Sequence, residues 1–192
     1  VSTTSYILAK YRFPGAKIFE GFYFMAMMIP GVLLIIPLYF QMYNLHLTDN
    51  LFVLMVIYAV QSLPLGIFLL VGFIKNINGA FIEAAVIDGA GEWYVFTRVV
   101  IPFVRPILFF LGLGNIMGTW NEYVMALTFI QTEEKFTVPI GLSYLSQTMQ
   151  YRADFGALFA GLVIATLPIL ILYFLFQKQI LTGTEASEGL KG

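Results

Sequence analysis

Residues 51–74 read LFVLMVIYAVQSLPLGIFLLVGFI, an unbroken run without a single charged side chain. A hydrocarbon core is crossed by about 20 apolar residues in helix, so this run is long enough to span a bilayer. Gly21 to Phe40 and Phe155 to Phe176 also reach that length and likewise carry no charge. All three are expected to be spanning helices. A fourth stretch, from about Pro106 to Ile130, is long enough but interrupted by Trp120-Asn121-Glu122, and it is expected to be a bent span. Val1 to Ala9 is moderately apolar, too short to cross, and followed at once by Lys10, Tyr11 and Arg12, which suits the end of a helix begun upstream. Composition agrees: 59% hydrophobic, 17% aromatic and 11% charged residues stand far from the roughly 25% charged of a soluble domain. The expected fold class is an all-α polytopic membrane protein with four complete transmembrane helices plus the end of a fifth.

Short loops keep Lys and Arg on the cytoplasmic side. With both ends inside, Lys10, Arg12, Lys17, Lys75, Arg98, Arg105, Lys178 and Lys191 are cytoplasmic, and only Lys135 and Arg152 are outside. The opposite topology inverts the ratio. The expected order is a cytoplasmic start, a tight external turn at Asn44 to Asn50, a cytoplasmic loop over 76–102, an external loop over 131–154 and a cytoplasmic tail over 178–192. The net charge of −1 carries no partner signal. No charged-then-apolar leader with a cleavage site is visible. The absence of cysteine excludes disulfides and leaves the redox compartment open.

The cytoplasmic loop changes character. Phe81-Ile82, then Ala85-Val86, suit a short amphipathic helix, and Asp88-Gly89-Ala90-Gly91 is a stop-and-turn signal because glycine takes the positive φ that ends a helix. Ala84 and Ala85 let another surface approach the backbone closely, while Glu83 offers a carboxylate to a basic partner. Glu92 to Val100 suits a second helix leading to Pro102, and Pro102 with Pro106 is expected to set the angle of re-entry into the bilayer. The bland alternative is a helix lying on the bilayer surface.

The whole loop follows E-A-A-x3-G-x9-(aliphatic)-x-(aliphatic)-P, from Glu83-Ala84-Ala85 through Gly89 to Val99-Val100-Ile101-Pro102. It resembles the loop by which the permease subunits of binding-protein-dependent bacterial ABC importers dock on their ATPase. Ser5 to Gly15 is similar to A-Y-x-L-A-R-x-x-F-x-G of the sugar-importing, maltose-type branch, Ile29-Pro30 and Pro37-Leu38-Tyr39 to its next span, Trp120-Asn121-Glu122-Tyr123 to its W-N-E-F, and Gly189-Leu190-Lys191-Gly192 to its closing G-x-x-K-G. Lys10 stands for the usual arginine and Tyr123 for the usual phenylalanine. The family's first helix and most of its second are missing, so the chain resembles an N-terminally truncated permease. The resemblance implies a transmembrane domain over 1–192 that forms part of a carbohydrate path and is coupled to ATP hydrolysis in a separate chain. It implies docking on an ATP-binding cassette dimer through Glu83, Ala84, Ala85, Asp88 and Gly89, with Ile101 and Pro102 anchoring the return. A second permease subunit, an external solute-binding protein meeting 131–154, and a bacterial or archaeal cytoplasmic membrane with the C-terminus inside are implied too. On the same resemblance the tail from Leu181, polar and glycine-rich, is expected to order only against the ATPase. No G-x4-G-K-[ST] phosphate loop occurs in the chain, so no cofactor is expected to bind here, and ATP and Mg²⁺ belong to the ATPase.

Polar groups within spans face a bundle interior or a wet path rather than lipid. Gln61, Asn115, Asn121 and Glu122 are thus candidates for lining the route, against the alternative of helix-to-helix hydrogen bonding. Trp120 suits stacking on a sugar ring or anchoring at the membrane interface. Gly114 and Gly118 fit close helix packing. Pro30, Pro37, Pro64 and Pro168 permit bends. A zinc protease would need a two-histidine motif, and His46 is the sole histidine; no Gly-x-Ser-x-Gly is present either. Neither enzyme class fits, and no metal or catalytic site is expected. A permease for an amino acid, peptide or ion is the alternative within the family. A channel or secondary transporter is the alternative outside it, and gives no reason for the docking loop.

Overall fold

A computed structural model describes the backbone at 1–152 and 155–188 and the side chains at 1–148 and 155–177. It is all-helical over the described residues. In chain order the helices are α1 (Ser2–Lys10), α2 (Ala16–Met27), α3 (Ile35–Asn44), α4 (Leu51–Lys75), α5 (Gly79–Ile87), α6 (Glu92–Tyr94), α7 (Ile101–Trp120), α8 (Val124–Phe129), α9 (Val138–Arg152) and α10 (Phe155–Glu188). A 3₁₀ turn, Gly31–Leu34, precedes α3, and a π-helical turn, Val95–Val100, joins α6 to α7.

Among the described residues, three helical segments are each long and apolar enough to cross a membrane: Leu51–Lys75, Glu92–Asn121 and Phe155–Gln177. The expected span Gly21 to Phe40 is a broken pair, Ala16–Met27 and Gly31–Asn44, bent by 93° at the break, and makes a fourth crossing if the two halves count as one span. Pro30 accounts for the position of the break, since a residue before proline is pushed out of the α region and proline donates no backbone hydrogen bond. The re-entry expected at Pro102 also differs. Helix begins at Glu92 and runs through both Pro102 and Pro106. The wider i→i+5 register of the π turn just upstream accommodates the amide that Pro102 lacks. The fourth span breaks where expected, at 121–123, between α7 and α8. Most of the loop 131–154 is the helix α9. The tail expected to order only against a partner continues α10 to Glu188, because extending an existing helix adds one hydrogen bond per residue. Side chains of Arg152, Lys178 and Lys191, the residue Asp154 and the ending 189–192 lie outside the described residues.

The chain divides into two compact units, Val1–Pro30 with Val60–Leu113, and Gly31–Ala59 with Gly114–Gly192. In the first, Ile67, Leu70, Val71 and Ile74 recur at i, i+3, i+4 and i+7, so one stripe of α4 is buried. Leu70 and Ile74 pack with Tyr6 of α1, with Val95, Phe96 and Val100 of the π turn, and with Val104. The second unit has its own core, in which Ile35, Leu54 and Ile57 meet Met125, Ala126, Phe129, Ile130 and Ile140.

Candidate functional site

Helix α5 carries the expected docking residues, and both its ends are closed by side chains or turns that the sequence supplies. At the start, the Asn78 side chain accepts the Ala80 amide at 3.0 Å, capping a donor that has no partner inside the helix. At the end, Gly89 has φ +81°. The Ala90 amide donates to the Ala85 carbonyl at 2.9 Å and the Gly89 amide to Val86 at 3.0 Å. Those two bonds with a left-handed glycine make a Schellman turn.

One face of α5 is fixed and the other is bare. Ile82, Ala85 and Ala90 pack against the first unit's core, and the Phe81 ring lies 5.3 Å from that of Phe103. Glu83, Ala84, Asp88 and Gly89 are exposed, as are Val86 and Ile87, the latter 84% exposed. Ile101 packs at the margin of the core while Pro102 is exposed. All seven docking candidates thus lie in one unit, with five of them on α5 and its turn. Just past that turn Trp93 is 72% exposed. Glu92 accepts from the Lys10 ammonium at 2.7 Å and the Tyr6 hydroxyl at 3.0 Å, and Lys10 also donates to Tyr6 at 2.9 Å. The triad ties the end of α1 to the start of α6. Lys10 signalled orientation and a motif position in the sequence but no partner, and Glu92 no role beyond the start of a helix.

Four of the five path candidates occur at the end of α7 in the second unit. Asn115 and Asn121 are exposed; the Thr119 hydroxyl donates to Asn115 at 3.4 Å, and the Asn121 amide donates to the Met117 carbonyl at 2.8 Å. Trp120 and Glu122 are half-buried and engaged. The Trp120 indole donates to the Ala165 carbonyl of α10 at 3.0 Å. Glu122 accepts the Met125 and Ala126 amides at 2.8 and 3.0 Å and the Tyr58 hydroxyl at 2.5 Å. Gln61 belongs to the first unit, half-buried in α4 and making an interaction of its own.

Asp49 is a residue that sequence reasoning passed over. It sits at φ +54°, and its amide donates to the Phe129 carbonyl at 2.9 Å. Its carboxylate accepts the Gln131 and Thr132 amides, the Thr132 hydroxyl and the Lys135 ammonium. The Lys135 charge, then the Thr132 hydroxyl and the two amides, hold the Asp49 carboxyl well below the usual carboxylate range. Nearby, the bond to the Glu133 carboxylate pushes the Tyr144 phenol up. Asp49-Asn50 before an apolar run is an N-cap signal, which Asn50 fulfils by accepting the Phe52 amide at 2.9 Å; nothing local points to Lys135.

Among proteins of described function, the chain is 32% identical over 176 residues to the diacetylchitobiose uptake system permease protein NgcG of Streptomyces coelicolor, covering 92% of the chain and 58% of that protein. It is 34% identical to the probable ABC transporter permease protein YurM of Bacillus subtilis, covering 98% and 62%. It is 31% identical to the maltodextrin transport system permease protein MdxG of the same species, covering 100% and 68%. The chain therefore spans about three fifths of the length of the first two of these relatives. In structure it resembles a chain of a bacterial ABC transporter involved in the import of the acidic polysaccharide alginate, with a TM-score of 0.76 and 26% identity over 93% of this chain and 66% of that one. The family model of binding-protein-dependent transport system inner membrane components matches residues 2–184, and the chain belongs to that family.

Proposed function

We infer that this chain is a membrane-spanning permease subunit of an ABC importer, forming part of the path for a carbohydrate and coupling it to ATP hydrolysis in a separate ATPase. The observation that carries the reading is α5: a nine-residue helix closed by a glycine turn, seated on a core by one face and bare on the other. A nucleotide-driven dimer that grips such a helix moves it as a rigid piece, and the core beneath it converts that movement into a shift of α1 and the π turn. Glu83, Ala84, Ala85, Asp88 and Gly89 meet the ATPase, and Ile101 with Pro102 anchors the return. The chain itself needs no cofactor, since ATP and Mg²⁺ are handled by the ATPase.

Carbohydrate is supported by the relatives named for diacetylchitobiose and maltodextrin and by the alginate importer's fold. Gln61, Asn115 and Asn121 carry amides suited to sugar hydroxyls, while Trp120 and Glu122 serve the path by holding the segment that carries Asn121. A second permease subunit completes the route, and an external binding protein meets the segment 131–154. The basic residues put α5 and the C-terminus on the cytoplasmic side of a bacterial or archaeal cytoplasmic membrane.

The test is co-purification of the protein from its own membrane in detergent, wild type against Glu83→Ala with Gly89→Pro. Wild type is expected to bring down an ATPase that the double variant loses. If neither retains an ATPase, α5 is a surface helix and the importer reading falls.

A further inference from the structure

The four residues Trp120 to Tyr123 each send a side chain to a different place in the second unit. The Trp120 indole reaches the Ala165 carbonyl of α10. Asn121 turns back on the last turn of α7 through Met117. Glu122 reaches Tyr58 of α4 and the two amides that open α8. The Tyr123 hydroxyl shares a hydrogen bond of 3.0 Å with Ser143 of α9. The backbone at this point is a break between two helices, where the last carbonyls of one and the first amides of the next lack partners inside their own helix. Within a bilayer each such group left unpaired costs several kcal/mol, so a break persists only where side chains supply the partners.

Glu122 supplies two of them, for the Met125 and Ala126 amides of α8. A carboxylate has about four acceptor positions, and three are taken by groups from two helices. The Trp120 indole donates one residue from Ile164, whose carbonyl Pro168 leaves without its amide donor. The polar atoms of Trp120, Glu122 and Tyr123 are therefore spent on neighbouring helices, while Asn121 bonds its own helix.

We propose that Trp120 to Tyr123 is a fixed joint and that Glu122 is its positioning residue, setting the angle between α7 and α8 and presenting the exposed Asn121 from an unmoving base. Glu122 is neither a sugar ligand nor a hinge. The joint's purpose rests on the importer reading, but its existence is tested independently. Cysteine is absent from these 192 residues, so Ile116→Cys on α7 and Leu127→Cys on α8, both exposed, carry a spin-label pair across the break once any cysteine outside them is replaced. In the permease alone, dipolar broadening is expected to report one narrow distance, to gain a second, longer population in Glu122→Ala, and to return to the narrow one in Glu122→Gln, whose amide oxygen still accepts from α8. Tyr58→Phe, which removes one donor and leaves the packing, gives an intermediate width should Glu122→Ala not fold. A distance as narrow in Glu122→Ala as in wild type, a width in Tyr58→Phe that does not exceed wild type, or equal broadening by Glu122→Gln and Glu122→Ala overturns the joint. In the assembled importer the wild-type distance is expected to be the same with and without ATP and vanadate; a shift makes the break a hinge and overturns its fixity. If no ATPase assembles, the importer reading fails while the permease measurements still decide the joint.

Discussion

Asp49 joins the turn before α4 to the segment after α8 by contacts that only its ionised form makes fully. Its carboxyl is held below its ordinary value of 3.8, so the stabilisation is fully present above about that pH and is lost as pH falls through the lower folded value. Protection of the Gln131 and Thr132 amides, their exchange relative to an unstructured chain at the same pH, is expected to hold at neutral pH and to fall on acidification below pH 4. Asp49→Asn keeps an oxygen for the amides but loses the charge that holds Lys135, so its protection should be lower at neutral pH and flat with pH. Unchanged exchange in that variant would show the ion pair to be idle. Gly89 is a cleaner case, because a Cβ built there meets no atom within 4 Å. Only the positive φ opposes a side chain, and Gly89→Ala should cost about 1 kcal/mol. The readout is about fivefold faster exchange of the amides of residues 88–90, since about 1 kcal/mol is about a factor of five, with the rest of the chain unaffected.

At the scale of elements, the Lys10–Glu92 pair links the end of α1 to the start of α6, just past the Asp88–Gly91 turn. The Glu92 side chain is 60% exposed, so solvent screens the pair and about 0.5–1 kcal/mol is the fitting magnitude. Lys10→Glu should lower the melting temperature in detergent, and the swap Lys10→Glu with Glu92→Lys should recover most of the loss; equal destabilisation by the swap would assign the effect to packing of the Lys10 stem instead. What the sequence made legible follows the same division. Spans 51–74 and 155–176 needed only length and lack of charge, and the break at Trp120 to Glu122 was visible because polar residues interrupt an apolar run. Asp88-Gly89 named its own turn, since positive φ is a property of one residue. The 93° bend between α2 and α3 was not legible, because proline marks where a helix yields while packing sets the angle. Nor was the passage of helix through Pro102, which depends on a π register that no residue type announces. Asp49 with Lys135, 86 residues apart, and Tyr58 with Glu122, 64 apart, belong to tertiary structure, and their roles appear only when the chain folds.

For the whole molecule, the apolar surface left over is as informative as the core. Phe155–Gln177, the most apolar of the crossing segments, buries none of its most apolar window within the chain, and Phe19, Phe22, Phe24 and Met25 of α2 are all exposed. Patches of that extent are not left to water; in a bilayer, lipid or another subunit's helices cover them at no hydrophobic cost. Sidedness then decides whether α5 faces nucleotide. The basic residues favour a cytoplasmic α5 because the positive-inside bias acts through short loops near the span ends, and the chain offers Lys75 and Arg98 on either side of that helix. These 192 residues hold no cysteine, so Ile87→Cys on α5 and Glu134→Cys beside the Asp49 contacts, both exposed, each report one side of the membrane once any cysteine outside them is replaced. In intact cells a membrane-impermeant maleimide is expected to label Glu134→Cys and to reach Ile87→Cys only after permeabilisation. The reverse pattern would put α5 outside, where no ATP-driven partner could hold it, and would leave the docking turn without its function.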